Sequence, residues 1–239
     1  MLFFLIRHGD PIYNPDSLTP LGHRQAEAVG KRLALYGVDR VYSSTSERAR
    51  LTAIPTCEML KLGEPELLEW CREGHAWQEL SVEYAPGKRR WGFQDPEITA
   101  LFNSPEIGAL DMNWHTHPRF EGEPISGGVE RIRRDADEFF ASLGYVHEPE
   151  NNRYRVEQSN KDRVALFAHQ GFGLAFLSVV LDVPYPYFCT HFDLSHSGMT
   201  VIEFAEKDGY TVPKLLSLSN DSHLYREGLP TNYNNRLRF

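Results

Sequence analysis

Met1-Leu-Phe-Phe-Leu-Ile-Arg7-His8-Gly9-Asp10 is the stretch whose reading decides the fold. Leu2 to Ile6 is apolar without alternation, which predicts a strand buried on both faces. It ends abruptly in polar residues and a glycine. Val164-Ala-Leu-Phe-Ala168 repeats the pattern and runs into His169-Gln170-Gly171. Between the two runs lie helix signals. Thr19 caps a helix with Pro20 at its first position, and Gly22, Ala26, Val29 and Leu33 recur at helical spacing. Val41-Tyr42-Ser43 reads as a short strand, and Ala49, Ala53, Cys57 and Leu60 mark a helix beginning at about Ser46 and ending near Gly63. A brief apolar run at Leu67-Leu68 follows. Ser126 is placed as the cap of a later helix carrying Val129, Ile132, Ala136, Phe139 and Leu143. Two late strands, Met199 to Phe204 and Lys214 to Leu218, flank a turn at Asp208-Gly209. Strands alternating with helices predict an α/β fold with a mostly parallel sheet covered on both faces.

From Trp70 to about Pro124 no period is evident, yet all four tryptophans fall there: Trp70, Trp77, Trp91 and Trp114. The stretch is too long for an ordinary connection, so a cap or lid at about 70–124 is expected within one domain spanning 1–239. The tryptophans are expected to pack a small core of that cap, with one or two facing a substrate.

Composition narrows the function. The chain has 239 residues, 25 Lys+Arg against 33 Asp+Glu, and a net charge of −8. With no long basic run, nucleic acid and anionic membrane are poor partners. Cys57, Cys71 and Cys189 are odd in number and widely spaced, which argues against a disulfide framework or zinc ribbon and for a reducing compartment. The apolar start is broken by Arg7 too early for a signal peptide or membrane span, and a cytoplasmic location is expected.

Ligands of open α/β sheets bind beyond the carboxyl ends of the strands. After the predicted strands come Arg7-His8, then Ser43-Ser44 with Arg48, then Glu69, then His169. Neutral imidazole is a good nucleophile near pH 7. Arginine forks hold phosphate oxygens at two points, and the helix start after Gly171 offers backbone N–H donors. A carboxylic acid can supply the proton that a departing alkoxide needs. No GxxxxGK[ST] loop is present, so nucleoside-triphosphate chemistry finds little support.

Leu5-Ile-Arg-His-Gly9 with Asn14 resembles the opening signature of the histidine phosphatase superfamily, in its phosphoglycerate mutase-like branch. Leu18-Thr-Pro-Leu-Gly22 with Gln25-Ala26, and Ser43-Ser44 with Arg48-Ala49 and Thr52-Ala53, are similar to its next blocks. Ala168-His169-Gln-Gly171, Ser197-Gly-Met-Thr200, Asn220-Asp and His223-Leu224 resemble its later ones. The resemblance implies a three-layer sandwich whose central sheet is mixed, with His8 becoming phosphohistidine. It also implies that Arg7, Arg48 and His169 hold the phosphoryl oxygens, with Asn14 close by, and that Glu69 is the proton donor. No metal or organic cofactor is implied. The sequence departs from the pattern at Pro11, where Thr or Ser is common, and at Glu69, which lies five residues before Gly74 rather than four. Glu73 is therefore a rival, and Glu69 is preferred because it directly follows the strand.

The expected activity is hydrolysis of a small phosphorylated metabolite. Mutase-type phosphoryl transfer and non-catalytic phospholigand binding stay open, as does the oligomeric state. His115 with His117, and His191 with Asp193 and His196, are weighed as metal ligands and read instead as loop residues, His196 near the substrate entrance. Lys88-Arg89-Arg90 is read as a solvated turn, with a grip on a second anion as its alternative.

Overall fold

The computed structural model describes residues 1–234. Strand β1 (Leu2–Arg7) is followed by a small hairpin, β2 (Pro11–Tyr13) and β3 (Asp16–Leu18). Helix α1 (Pro20–Tyr36) starts as its sequence predicts: Thr19 accepts the Gly22 N–H, and Gly37 ends the helix in a left-handed conformation. Then come β4 (Arg40–Ser44), α2 (Glu47–Leu60) and β5 (Glu66–Leu68).

The 70–124 region is ordered into short pieces. They are α3 (Glu73–Leu80), a hairpin of β6 (Ser81–Ala85) and β7 (Lys88–Trp91), α4 (Pro96–Phe102), α5 (Pro105–Leu110) and several 3₁₀ turns. The chain returns through α6 (Ile125–Ser142), β8 (Tyr145–Glu148), β9 (Arg153–Val156), β10 (Arg163–Ala168) and α7 (Gln170–Val180). It continues through α8 (Tyr185–His191), β11 (Met199–Glu203), β12 (Tyr210–Thr211), β13 (Lys214–Asn220) and α9 (Ser222–Arg226). Helix α6 begins one residue before Ser126. The Ser126 hydroxyl bonds back to the Glu123 carbonyl instead of capping the helix.

The central sheet has the order β13-β11-β1-β10-β4-β5. β1, β10, β4 and β5 run parallel, whereas β11 and β13 add antiparallel at one edge. Alternate side chains of β1 feed two cores. Phe4 and Ile6 pack with Val29, Leu33, Ala53 and Cys57 of α1 and α2. Phe3 and Leu5 face α6 and α7 on the other side. Helix α7 is buried along its whole length, so it is apolar on every face.

The tryptophans do not build a separate core. Trp70 packs on Phe139, Phe172 and Phe176, while Trp114 packs on Phe102, Phe120 and Tyr185, within one cluster continuous with α6 and α7. The reason is that α6 and α7 each have apolar surface left over after covering the sheet, and the inserted pieces bury it. A small sheet, β12-β9-β8, lies outside the sequence reading.

Candidate active site

The parallel strands β1, β4 and β10 end on the same edge, and there the polar motifs meet. The loop after β1 is wedged against α1. A Cβ on Gly9 would lie 2.6 Å from the Gly22 carbonyl oxygen, and one on Gly22 would lie 2.2 Å from that of Asp10. Side chains from the neighbouring motifs pin this loop. The Gly9 N–H donates to Thr52 Oγ1 (3.0 Å), the Asp10 N–H to Gln25 Oε1 (2.7 Å), and Thr19 Oγ1 to Asp10 Oδ2 (2.7 Å). From the antiparallel edge, the Ser197 N–H donates to the His8 carbonyl, and the Arg7 N–H to that of Gly198.

His8 is buried, and its Nδ1 lies 2.7 Å from the Gly9 carbonyl oxygen. A carbonyl only accepts, so Nδ1 carries the proton and Nε2 keeps its lone pair. Burial, then the neighbouring His169, Arg7 and Arg48, push the His8 pKa well below its ordinary value, so the ring is neutral at pH 7. His169 caps α7 from the end of β10, with its ring centroid 5.2 Å from that of His8. Its Nε2 is 2.8 Å from Ser44 Oγ, and burial together with Arg48, Arg7 and Arg72 keeps it neutral too.

Arg7 is buried with its guanidinium fully engaged at both ends. Nη1 donates to the Leu194 carbonyl (2.5 Å), and Nη2 to Asn234 Oδ1 (2.5 Å) and to His196 Nε2 (2.8 Å). Arg48, in the first turn of α2, donates to Asp16 Oδ1 (2.8 Å), and the other oxygen of Asp16 accepts the Glu47 N–H (2.9 Å). The Nε atoms of both arginines and Nδ1 of His169 are buried without a hydrogen-bond partner. Buried guanidinium N–H groups without a partner are donors that the oxygens of an anion satisfy.

Two sequence-based placements need correcting. Asn14 does not approach the guanidinium groups. The β2–β3 register pairs Tyr13 with Asp16, which puts Asn14 at the exposed hairpin tip and brings Asp16 to Arg48 instead. Glu69 is also outside. It opens a 3₁₀ turn after β5, and its carboxylate bonds to Thr45, His75 and Arg72 at the surface. The Thr45 and His75 contacts hold its pKa below the ordinary value, the reverse of what a proton donor needs.

That turn carries the chain round so that Glu73 begins α3 facing inward. Its Oε2 lies 3.2 Å from His169 Nδ1, and its Oε1 accepts the Phe172 N–H at 3.3 Å. The N-terminus of α7, expected to serve phosphate, therefore also holds this carboxylate. Burial raises the Glu73 pKa to about 7 against the opposing pull of Arg48 and Arg7.

Arg7, His8, Arg48 and Glu73 line one cavity of about 560 Å³. Tyr13, Asp16, Arg72, Trp77, Trp91, Gln170 and Asn234 are also in its wall. Asn234 links Arg7 to Gln170, whose Oε1 accepts its Nδ2 at 2.7 Å. No pattern in the sequence marks Asn234, because its segment has no regular period.

A family model of the histidine phosphatase superfamily (branch 1) matches residues 3–101, the span that supplies Arg7, His8, Arg48 and Glu73. That part of the chain is similar to the histidine phosphatase superfamily (branch 1). Among curated proteins none matches the chain. Solved structures with the same fold include a phosphoserine phosphatase from Entamoeba histolytica in complex with 3-phosphoglyceric acid. The two share 20% identity and a TM-score of 0.57 over 93% of this chain and 98% of the other. A mycobacterial glucosyl-3-phosphoglycerate phosphatase complexed with inorganic phosphate gives 17% identity and a TM-score of 0.58, covering 93% and 98%. A second mycobacterial hydrolase gives 21% and 0.57, covering 91% and 90%.

His8, Glu73 and His169 offer ligand atoms all within 4.8 Å of one another. Two guanidinium groups share the space, so its electrostatics favour an anion over a cation. The histidines weighed as metal ligands do not gather into such a group among the described residues. His117 Nε2 lies 3.4 Å from Glu106, and His196 Nε2 accepts from Arg7. Arg89 bonds within its hairpin to Ser81, and Arg90 stacks on Tyr84, so the basic run stays outside the cavity. No helix among the described residues is long and apolar enough to cross a membrane.

Proposed function

We propose that the protein hydrolyses a small phosphomonoester through a phosphohistidine at His8. The supporting observation is a neutral His8 with an unprotonated Nε2, in one cavity with Arg7, Arg48 and a carboxyl group that titrates near neutrality, and with the His169 ring 5.2 Å from its own. His8 Nε2 attacks phosphorus, and the bond to the leaving oxygen breaks. Arg7, Arg48 and His169 hold the non-bridging oxygens, whose charge spreads in the transition state. Glu73, protonated, gives its proton to the departing alkoxide. Water then attacks the phosphohistidine, Glu73 takes a proton from that water, and the N–P bond breaks to free phosphate and restore His8.

This reading gives Glu73, rather than Glu69, the role of acid and base. Rapid alkaline quench during turnover of a ³²P-labelled aryl phosphate is expected to trap label on the wild-type chain and none on His8→Ala. Turnover retained by His8→Ala would overturn the nucleophile.

A further inference from the structure

The cavity has two chemically different halves. Its floor is the anion-binding group around His8. Its outer wall is aromatic, with one cation. Trp91 lies directly on the second histidine motif, since a Cβ on Gly171 would sit 2.4 Å from its ring. Trp77 meets Trp91 edge to face at 4.9 Å, and Phe93 stacks behind Trp91 at 5.6 Å, so the wall is braced. Trp77 is four residues beyond Glu73 on α3 and therefore shares its helix face. Glu73 and Trp77 of this wall thus line the same cavity from one helix face.

Arg72, immediately before Glu73, also lines the cavity, with its side chain about half exposed. Its one partner among the described residues is Glu69 Oε1 at 3.4 Å, an exposed pair of the kind that exchanges readily for a better anion. Glu69 is itself anchored by Thr45 and His75, which keeps Arg72 at the rim. Aromatic walls alone would also suit a cationic head group. The guanidinium at the mouth argues against one, and Asp16 is already committed to Arg48 and to the first turn of α2.

We infer that Arg72 is a specificity-determining residue, and that the substrate's leaving group has an apolar face for Trp77 and Trp91 and a second anionic group for Arg72. The inference rests on the phosphatase reading and names the substrate class of that same site. A carboxylate and a second phosphate share the chemistry that Arg72 recognises, and the carboxylate is the simpler probe.

The test uses 4-carboxybenzyl phosphate and 4-carbamoylbenzyl phosphate, which share a ring and a benzylic leaving oxygen but differ in charge. The wild-type chain is expected to favour the carboxylate about tenfold in kcat/KM, mostly through KM, as one charge-assisted contact allows. Arg72→Gln is expected to bring the ratio close to one, and Arg72→Lys to keep part of it. Arg72 is surface-exposed, so its replacement leaves the fold intact. Calorimetric binding of the two corresponding non-hydrolysable phosphonates is expected to show the same ratios. A wild-type ratio near one, or a preference that survives Arg72→Gln, overturns the inference and leaves the phosphatase reading standing. Turnover of neither ester, with the phosphonates still discriminated by Arg72, overturns the phosphatase reading alone.

Discussion

Glu73 shows what one residue's surroundings decide. Its carboxyl is buried against α7, and burial outweighs the attraction of two arginines, so it holds a proton up to about pH 7. The folded chain keeps this proton between pH 4.5 and about 7, where the unfolded chain has lost it. The stabilising contribution is therefore full below pH 4.5 and is lost as pH rises through 7. Glu73→Gln is expected to remove that decline and to gain on the order of 2 kcal/mol over the wild type at pH 8, measured by urea unfolding. The same variant is expected to lose at least a hundredfold in the turnover of alkyl phosphates, as removal of a general acid does. Choosing between Glu69 and Glu73 lay beyond the sequence. A strand-end rule favours the residue next to the strand, and nothing in Glu69-Trp-Cys-Arg-Glu73 announces the 3₁₀ turn that reverses their exposure. That Arg7, His8 and His169 lie at the ends of buried strands, and Arg48 in the first turn of the next helix, was legible from the apolar runs and the helical period.

At the scale of elements, the fit between the loop after β1 and the first turn of α1 is the tightest constraint on the site. Gly22→Ala would place a methyl group 2.2 Å from the backbone oxygen of Asp10, a contact that only backbone movement relieves. The variant is expected to lose about 1–3 kcal/mol of stability, the usual cost of overpacking. It should also weaken binding of inorganic phosphate, because the displaced loop carries His8. Equilibrium unfolding and calorimetry check the two effects. The helices α1 and α2, the buried strands and the antiparallel late strands were all readable from period and caps. The short pieces between Trp70 and Pro124 were not, since helices of six to eight residues span barely two turns and leave no periodic trace. The β2–β3 hairpin was missed for a similar reason. Three residues per strand are too few to show alternation, so nothing in the pattern puts Asn14, which the resemblance alone set near the phosphate, at the hairpin tip.

At the scale of the molecule, an ionic cluster outside the cavity ties β8 of the small sheet to α6 and to the turn after α7. His147 of β8 lies between Asp137 of α6 (2.8 Å) and Asp182 after α7 (3.0 Å), with Tyr154 stacked on its ring at 4.3 Å. Burial opposes its charge, but the hydrogen bonds to the two carboxylates prevail, and its pKa rises to about 9. A raised histidine pKa stabilises the folded state fully below pH 6.5, and that contribution is lost as pH climbs through 9. Between pH 6.5 and 9.5 the wild type is expected to lose on the order of 2 kcal/mol that His147→Asn, less stable at pH 6.5, does not lose. Unfolding midpoints at the two pH values decide it. This cluster and the Glu73 carboxyl both make the chain less stable toward alkaline pH.

Asn234 gives the buried guanidinium of Arg7 one of its partners, and the Asn232 carbonyl receives the His196 N–H beside it. Translation reaches Arg7 227 codons before Asn234. A nascent polypeptide released after α9 would thus carry every group assigned to phosphoryl transfer, yet leave Arg7 without the amide that steadies it. The partner set of Arg7 is complete only once the stretch carrying Asn232 and Asn234 has closed onto the first strand.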